Sequence, residues 1–241
     1  MKEKLNMIWL WLRLIIMLLT NYFKLSKDIS KNNLICKHIS EEIIELADVK
    51  LTVIGKKNIE NIDEPFLVAA NHRSFFDIFL LIVALGKTIP FAAAKKLYSY
   101  PILNKYIKSI DCISVNQYTT DVSELKHQLR QIHKHLNKHS LILFPEGECN
   151  YKDNQIKEFK KGGFFSLNKT ETYVIPTYIY VEKFKKLGRW CVPKGNVIIV
   201  FGESFKSNEI ACDNITSAIL AEYTQEKVNE LKDNLIKRNN K

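Results

Sequence analysis

The sequence contains no CxxC pair, no GxSxG element, no internal repeat and no low-complexity linker. The five cysteines that occur (Cys36, Cys112, Cys149, Cys191 and Cys212) are scattered. They form the pattern of neither a disulfide framework nor a zinc ribbon, and they fit the reduced, cytosolic side of a membrane. Without GxSxG there is no nucleophile elbow, so a serine hydrolase is set aside and Ser74 reads as a helix cap. Acidic residues are in deficit: 26 Asp+Glu against 36 Lys+Arg give a net charge of +10. That balance suits an anionic partner such as a phospholipid headgroup, a phosphorylated cofactor or an acidic carrier protein. Nucleic acid would also fit the charge, but not the chemistry found further along the chain. With 46% hydrophobic residues over 241 positions, a sizeable core is available. The length fits one α/β domain with an N-terminal appendage.

From Leu5 to Phe23 the chain reads LNMIWLWLRLIIMLLTNYF. Lys2 and Lys4 resemble the basic start of a secretory signal, but Arg13 splits the apolar run and no small-x-small cleavage site follows before Lys24. On a helical wheel Lys2, Asn6, Arg13, Thr20 and Lys24 fall within roughly 40° of one another, leaving the remaining circumference apolar. A narrow polar stripe on an apolar rod suits a helix sunk into one leaflet, with Arg13 snorkelling outward. At about 28 Å the segment barely matches the bilayer core, so both spanning and interfacial placements are open. The rival reading is a helix buried in a soluble core. A second helix is expected over 30–46, where Leu34, Ile35, Ile39, Ile43 and Leu46 recur on one face. Residues 1–48 are therefore read as a membrane-associated helical hairpin, and 49–241 as the catalytic domain.

Beyond Leu51, short apolar runs alternate with helical patterns, which predicts an α/β fold: a mixed sheet flanked by helices. Strands are expected at 51–55, 66–70, 90–94, 112–115, 141–144, 173–181 and 197–202. Helices are expected near 76–85, 97–108, 121–138 and 216–237. In the third of these, Leu125, Leu129, Ile132 and Leu136 mark the inner side, whereas His127, His133 and His135 fall outside it. Those histidines read as a solvated face, and no metal site is expected.

The chemistry concentrates in two places. The strand FLVAA runs into NHRSFFDIFLLIVALG. Within one helix His72 and Asp77 would sit about 140° apart, so they meet only if His72 lies in the preceding turn. Ser74-Phe75-Phe76-Asp77 reads as a capping box with Ser74 at the N-cap, and Gly86 stands where a helix stop belongs. Asp77 could then hold one ring N–H of His72 and leave the other nitrogen to take a proton. The second place is LILFPEGECN, which sets Glu146 and Gly147 at the C-terminal end of a strand, where α/β sheets bind ligands. Downstream, Lys160 and Lys161 beside Gly162 suit a phosphate. Cys149 is set aside as a nucleophile because its acidic neighbourhood disfavours a thiolate.

NHRSFFD resembles the first signature of the glycerolipid acyltransferases of the 1-acylglycerol-3-phosphate acyltransferase type, an Asn-His, four residues, then Asp. FPEG resembles their third signature, FKKG the tail after it, and Val174-Ile175-Pro176 the fourth. The segment from Lys95 and Lys96 to Pro101 is similar to the family's Lys-Glu-Leu…Pro stretch, and the likeness runs from about Ile54 to Gly202. The resemblance implies acyl transfer in phospholipid biosynthesis, from acyl-CoA or acyl-carrier protein to a lysophospholipid hydroxyl, with no further cofactor. His72 would deprotonate that hydroxyl, which attacks the thioester directly, while Asp77 orients the imidazole. Glu146 and Gly147 would hold the acceptor at the cytoplasmic face of the inner or plasma membrane.

Two departures bear on the acceptor. Where the second signature ends Ile-Asp-Arg this chain has Val115-Asn116-Gln117, and where the third continues Thr-Arg-Ser it has Glu148-Cys149-Asn150. Neither arginine is present, and Glu148 repels a phosphate monoester. Either the acceptor is a lysolipid with a substituted headgroup, as in the lysophosphatidylcholine branch that FPEG-x-Cys resembles, or other residues take over the phosphate. The expected substrate contacts are accordingly Asn71, Arg73, Lys95, Lys96, Glu146, Gly147, Lys160 and Lys161. A non-catalytic lipid-binding protein is the rival of a different class.

Overall fold

The computed structural model describes residues 2–151, 155–169, 171–187, 190–210 and 215–239. The strands are β1 (Val49–Ile54), β2 (Phe66–Ala70), β3 (Ala92–Ala94), β4 (Ile113–Val115), β5 (Leu141–Leu143), β6 (Tyr173–Leu187) and β7 (Trp190–Phe201). The helices are α1 (Lys2–Tyr22), α2 (Ile29–Leu46), α3 (Lys57–Glu60), α4 (Asp77–Leu85), α5 (Pro101–Ser109), α6 (Val122–Leu136) and α7 (Ser217–Asn239). The main sheet has five strands in the order β1-β7-β6-β2-β5. It is mixed, because β6 and β7 run antiparallel while β1–β7, β2–β6 and β2–β5 pair in parallel.

Strand β2 explains why the sheet lies in the middle of the molecule. Its run FLVAA is buried at every position, with no residue more than 1% exposed, so both faces must be covered. Phe66, Val68 and Ala70 share a core with Leu80, Leu81 and Ala84 of α4. Leu67 and Ala69 face the other way, into a core with Ile132 and Leu136 of α6 and Leu220 and Val228 of α7. Each fully buried Val, Leu, Ile or Phe side chain among them contributes roughly 1.5–3 kcal/mol.

Helices α1 and α2 meet along Leu10, Leu14 and Met17 on one side and Cys36, Ile39 and Ile43 on the other. Helix α5 closes the end of α1, where Tyr106 Oη donates to Leu18 O at 2.7 Å and Lys105 Nζ to Tyr22 O at 2.8 Å. The second of these bonds satisfies a carbonyl that a helix terminus leaves without a partner. The opposite face of α1 keeps Ile8, Trp9, Leu12, Ile15, Ile16 and Leu19 exposed. Among the described residues, no helix is long and apolar enough to cross a membrane.

Several expectations need correction. The helix expected at 97–108 is a short 3-10 turn (Lys95–Ser99) followed by α5, because Pro101 sits in the first turn and Tyr100 before it is extended. Strands β6 and β7 run well past 181 and begin before 197, since their mutual pairing carries the charged stretch EKFKK as a hairpin arm. In α6, Leu125 is exposed, and Gln128 and His135 are buried instead. His135 is therefore not part of a solvated face: its Nε2 lies 3.3 Å from Ser140 O and its Nδ1 3.7 Å from Asp111. Gln128 Oε1 accepts the Asn116 N–H at 3.2 Å, so a polar side chain on the inner face has a definite partner.

Candidate active site

Parallel pairing decides where the functional residues converge. β2 and β5 are in register, Leu67 opposite Leu141 and Ala69 opposite Leu143, so Asn71-His72 and Phe144-Pro145-Glu146 leave the same edge of the sheet. β3 and β4 pair in parallel, and Phe91 bridges in parallel to Ile142. The segments after β3 (Lys95) and β4 (Asn116–Thr119) thus open at that edge as well. It is the carboxyl edge, where α/β folds bind ligands.

At its centre His72 Nδ1 lies 2.8 Å from Asp77 Oδ2. The same oxygen accepts the N–H of Arg73 at 2.6 Å and of Ser74 at 2.9 Å. The expected capping box takes a different form here. Helix α4 starts at Asp77 itself, Phe76 occupies the cap position without a side-chain bond, and Ser74 Oγ accepts the Phe76 N–H at 3.1 Å. Asp77 is thus fully buried and turned back onto the preceding loop, which it gathers around the imidazole. With a carboxylate at Nδ1, proton exchange falls to the other ring nitrogen, Nε2. The ring stacks on Phe144, centroids 4.1 Å apart and planes 14° apart, and its side chain is 17% exposed. Burial disfavours the imidazolium, but the hydrogen bond and charge of Asp77 and the contact with Cys149 outweigh it, and the His72 pKa is pushed up to about 10. The carboxylate thus favours the charged form of the ring, the form reached once a proton has been taken at Nε2.

The FPEG loop locks this turn from the other side. Glu146 is 3% exposed; its Oε1 accepts the His72 N–H at 2.8 Å and its Oε2 the Lys157 N–H at 3.1 Å. Burial raises the Glu146 pKa, and those two backbone donors oppose the rise. The Asn150 N–H donates to His72 O at 2.7 Å, so the loop 146–150 holds both backbone groups of His72. Glu146, expected to hold the acceptor, instead clamps two loops together. Asn71 likewise faces inward at 2% exposure: Nδ2 donates to Ile179 O at 3.1 Å, and Oδ1 accepts the Ile179 N–H at 2.7 Å. Arg73 is 5% exposed, with its guanidinium 5.4 Å from the centre of the Phe184 ring. Neither Asn71 nor Arg73 presents its side chain at the open edge, because each is held beneath the turn by a strand far along the chain.

The lysines separate into two groups. Gly147 adopts φ +73°, and a Cβ there would fall 2.8 Å from Lys160 Nζ, so this cation rests against the glycine turn. Lys160 Nζ also lies 5.9 Å from the centre of the Tyr118 ring, on the loop after β4. Lys95 Nζ bonds Glu124 Oε1 at 2.7 Å, and Glu124 in turn accepts from Asn116 and Thr119 of that loop. Lys160 and Lys95 thus mark one rim of the opening. Lys96 and Lys161 are exposed and bond to neither the dyad nor Glu146.

One neighbour of the imidazole is a residue that reasoning along the chain had set aside. Cys149 Sγ lies 3.1 Å from His72 Nε2. A cavity of about 550 Å³ opens beside this thiol, lined also by Glu148, Tyr151, Gln155 and Lys157. The signal available in the sequence was the position of Cys149 within the FPEG loop, three residues past Glu146.

A positioned imidazole and carboxylate at the carboxyl edge of a mixed sheet make this an α/β domain equipped to activate a hydroxyl or thiol. The family model described as Acyltransferase matches residues 50–180, more than half of the chain, and the chain belongs to that family. A chloroplastic 1-acyl-sn-glycerol-3-phosphate acyltransferase of Arabidopsis thaliana is 27% identical over 70% of this chain and 48% of its own length. A 1-acyl-sn-glycerol-3-phosphate acyltransferase of Saccharomyces cerevisiae is 30% identical over 59% of this chain and 46% of its own. A probable enzyme of the same name from Mycoplasma pneumoniae is 26% identical over 73% of this chain and 71% of its own. The chain spans about half the length of the plant relative. The crystal structure of the 1-acyl-sn-glycerophosphate acyltransferase PlsC from Thermotoga maritima superposes with a TM-score of 0.73 at 23% identity, covering 98% of this chain and 99% of that one. That likeness establishes the shared fold.

Proposed function

We propose that the protein transfers a fatty-acyl group from acyl-CoA or acyl-carrier protein to the free hydroxyl of a 1-acylglycerol-3-phosphate or a related lysolipid. The observation that carries this reading is the 2.8 Å contact between His72 Nδ1 and Asp77, which leaves proton transfer to Nε2. In the reaction the acceptor O–H gives its proton to Nε2, and the oxygen attacks the acyl carbonyl carbon. The donor thiolate then leaves and recovers the proton from the imidazolium. Gly147 allows the chain to turn under Lys160, which supplies positive charge at the rim for an anionic headgroup. The relatives' names favour a phosphate monoester there. Glu148 fits that acceptor because Lys157 Nζ sits 2.7 Å from its carboxylate and offsets the charge.

A second reading, an acceptor with a substituted headgroup, is favoured by the two arginines absent at Gln117 and Cys149. Residues 1–48 serve in both readings as a membrane-associated segment on the cytoplasmic face. Supporting this, Trp9, Ile15, Ile16 and Leu19 lie exposed on α1 while Leu10, Leu14 and Met17 anchor it to the domain.

The test offers purified protein a panel of lysolipids with each thioester donor, and products are identified by mass. 1-Acylglycerol-3-phosphate is expected to be the best acceptor, and a clear preference for lysophosphatidylcholine would select the second reading. His72→Ala should abolish turnover and leave liposome binding intact; equal turnover in the variant would reduce the protein to a lipid binder.

A further inference from the structure

We propose that the outer face of α6 is the docking surface for an acidic acyl-carrier protein, which brings the thioester to the site. This rests on the acyl-transfer reading above and chooses between its two donors. Lys126, Arg130 and Lys134 follow one another at four-residue steps. In a helix that spacing sets all three within about 80° of arc and about 12 Å along the axis. All three are exposed, whereas Gln128, Ile132, His135 and Leu136 are buried on the inner side. The cations therefore form a ridge turned away from the sheet.

A charged helix face is ordinarily only solvated, and two other helices show that pattern. On α2, Lys37 pairs with Glu41 at 3.8 Å and His38 lies 3.3 Å from Glu42; on α7, Lys227 pairs with Glu230 at 3.0 Å. Helix α6 is built otherwise. Its one carboxylate, Glu124, is turned to the rim of the opening, where it accepts from Lys95, Asn116 and Thr119. Among the described residues no carboxylate pairs with Lys126, Arg130 or Lys134. Each step along the ridge sets two like charges at i,i+4, which weakens a helix and which alternating signs would relieve.

Position and spacing select the occupant. The contacts of Glu124 place the start of α6 at the opening, so the ridge runs from the site down the flank of the domain. Ser166 Oγ donates to Leu129 O at 3.2 Å, which seats the turn Lys161–Lys169 beside α6, with Phe165 and Lys161 exposed on it. An aromatic ring beside a row of cations is the mixture of a protein interface. A bilayer fits less well. Helix α2 joins the core on the α4 side through Ile44 and carries α1 with it, whereas Ile132 and Leu136 of α6 belong to the core on the other side. The exposed apolar face of α1 and the ridge thus lie across the sheet from each other. CoA gathers its charge on a few phosphate oxygens, but cations about 6 Å apart along an axis match a row of carboxylates on a partner helix. A carrier seated there presents its thioester next to the opening.

The test compares steady-state kinetics of the full chain with palmitoyl-acyl-carrier protein and with palmitoyl-CoA, using 1-acylglycerol-3-phosphate as acceptor. The combined variant Lys126→Glu, Arg130→Glu, Lys134→Glu should raise KM for the carrier by about tenfold or more at unchanged kcat, and keep KM for palmitoyl-CoA within about twofold. Raising salt from about 50 to about 300 mM should raise the parent's KM for the carrier and leave that of the variant level. Should circular dichroism show the charge reversal to be misfolded, the three glutamine substitutions replace it, with a rise of about threefold or more expected. Reversing Lys50, Lys57 and Lys237 instead, at the same change in net charge, should leave the carrier KM within about twofold. The proposal is overturned if the ridge variant keeps the parent's carrier KM, if both donors suffer alike, or if the control loses as much. It is equally overturned if the loss tracks sedimentation with anionic liposomes, which would give the ridge to a lipid surface. Turnover with palmitoyl-CoA but not with the carrier removes this proposal and leaves the acyltransferase reading standing; turnover with neither donor removes both.

Discussion

Replacing Asp77 by Asn isolates the charge of the buried carboxylate. Oδ2 receives three donors, His72 Nδ1, the Arg73 N–H and the Ser74 N–H, at 2.8, 2.6 and 2.9 Å. Oδ1 has only Ser74 Oγ at 3.5 Å. An asparagine can therefore put its carbonyl oxygen where Oδ2 was and its amide toward Ser74 Oγ, leaving every donor paired. What changes is that three charge-assisted bonds become neutral ones, at about 1 kcal/mol each, so a stability loss of about 2–3 kcal/mol is expected. Without the carboxylate the burial of the ring is no longer outweighed, so the His72 pKa should fall from about 10. Transition-state stabilisation should fall by about 10³–10⁴-fold, or roughly 4–5.5 kcal/mol, as when other catalytic imidazoles lose their orienting carboxylate. Turnover under saturating substrates, a denaturant midpoint and an NMR titration of His72 measure the three effects separately. Turnover within about tenfold of the parent, together with a lowered His72 pKa, would refute the idea that the carboxylate drives proton transfer.

The raised His72 pKa also sets a pH dependence for stability. Its contribution is fully present below the unfolded value of about 6.5 and is lost as pH rises toward about 10, which urea melts across that window should show and Asp77→Asn should flatten. Gly147→Ala must place a side chain at φ +73° with its Cβ 2.8 Å from Lys160 Nζ. A loss of about 1–2 kcal/mol and a raised KM for the lysolipid are expected, measured by thermal melting and steady-state kinetics. Asn71→Ala leaves the backbone N–H and C=O of Ile179 without their buried partners, costing about 2–4 kcal/mol and lowering the denaturant midpoint with an unchanged slope. Charged substitutions at Trp9, Ile16 and Leu19 should abolish sedimentation with anionic liposomes while turnover of a detergent-dispersed lysolipid persists.

Much of the architecture was legible along the chain. The pattern FLVAA followed by a polar turn and an apolar helix announced β2 and α4, because a strand covered on both faces must be apolar at every position. The spacing of His72 and Asp77 required the histidine to lie outside the helix, and it does. The helix expected at 30–46 appears as Ile29–Leu46, capped by Asp28. Where the reading along the chain failed, the reason was a partner far away in sequence. The inner side of α6 took Gln128 and His135 because Asn116, Ser140 and Asp111 were there to meet their polar atoms. Periodicity counts apolar residues and cannot anticipate such partners.

Local order along the chain, then, determined the alternation of strands and helices, the bend that carries His72 and the glycine turn at Gly147, since these follow from propensity and from short-range sterics. Tertiary structure decided which polar side chains became struts and which faced the opening. Asn71 was claimed by Ile179, 108 positions on, and the His72 backbone by Glu146, 74 positions on. Parallel pairing of β2 with β5 brought a sulfur 77 positions away against the imidazole. The physical reason is that a buried hydrogen-bonding group must find a partner wherever the sheet happens to place one.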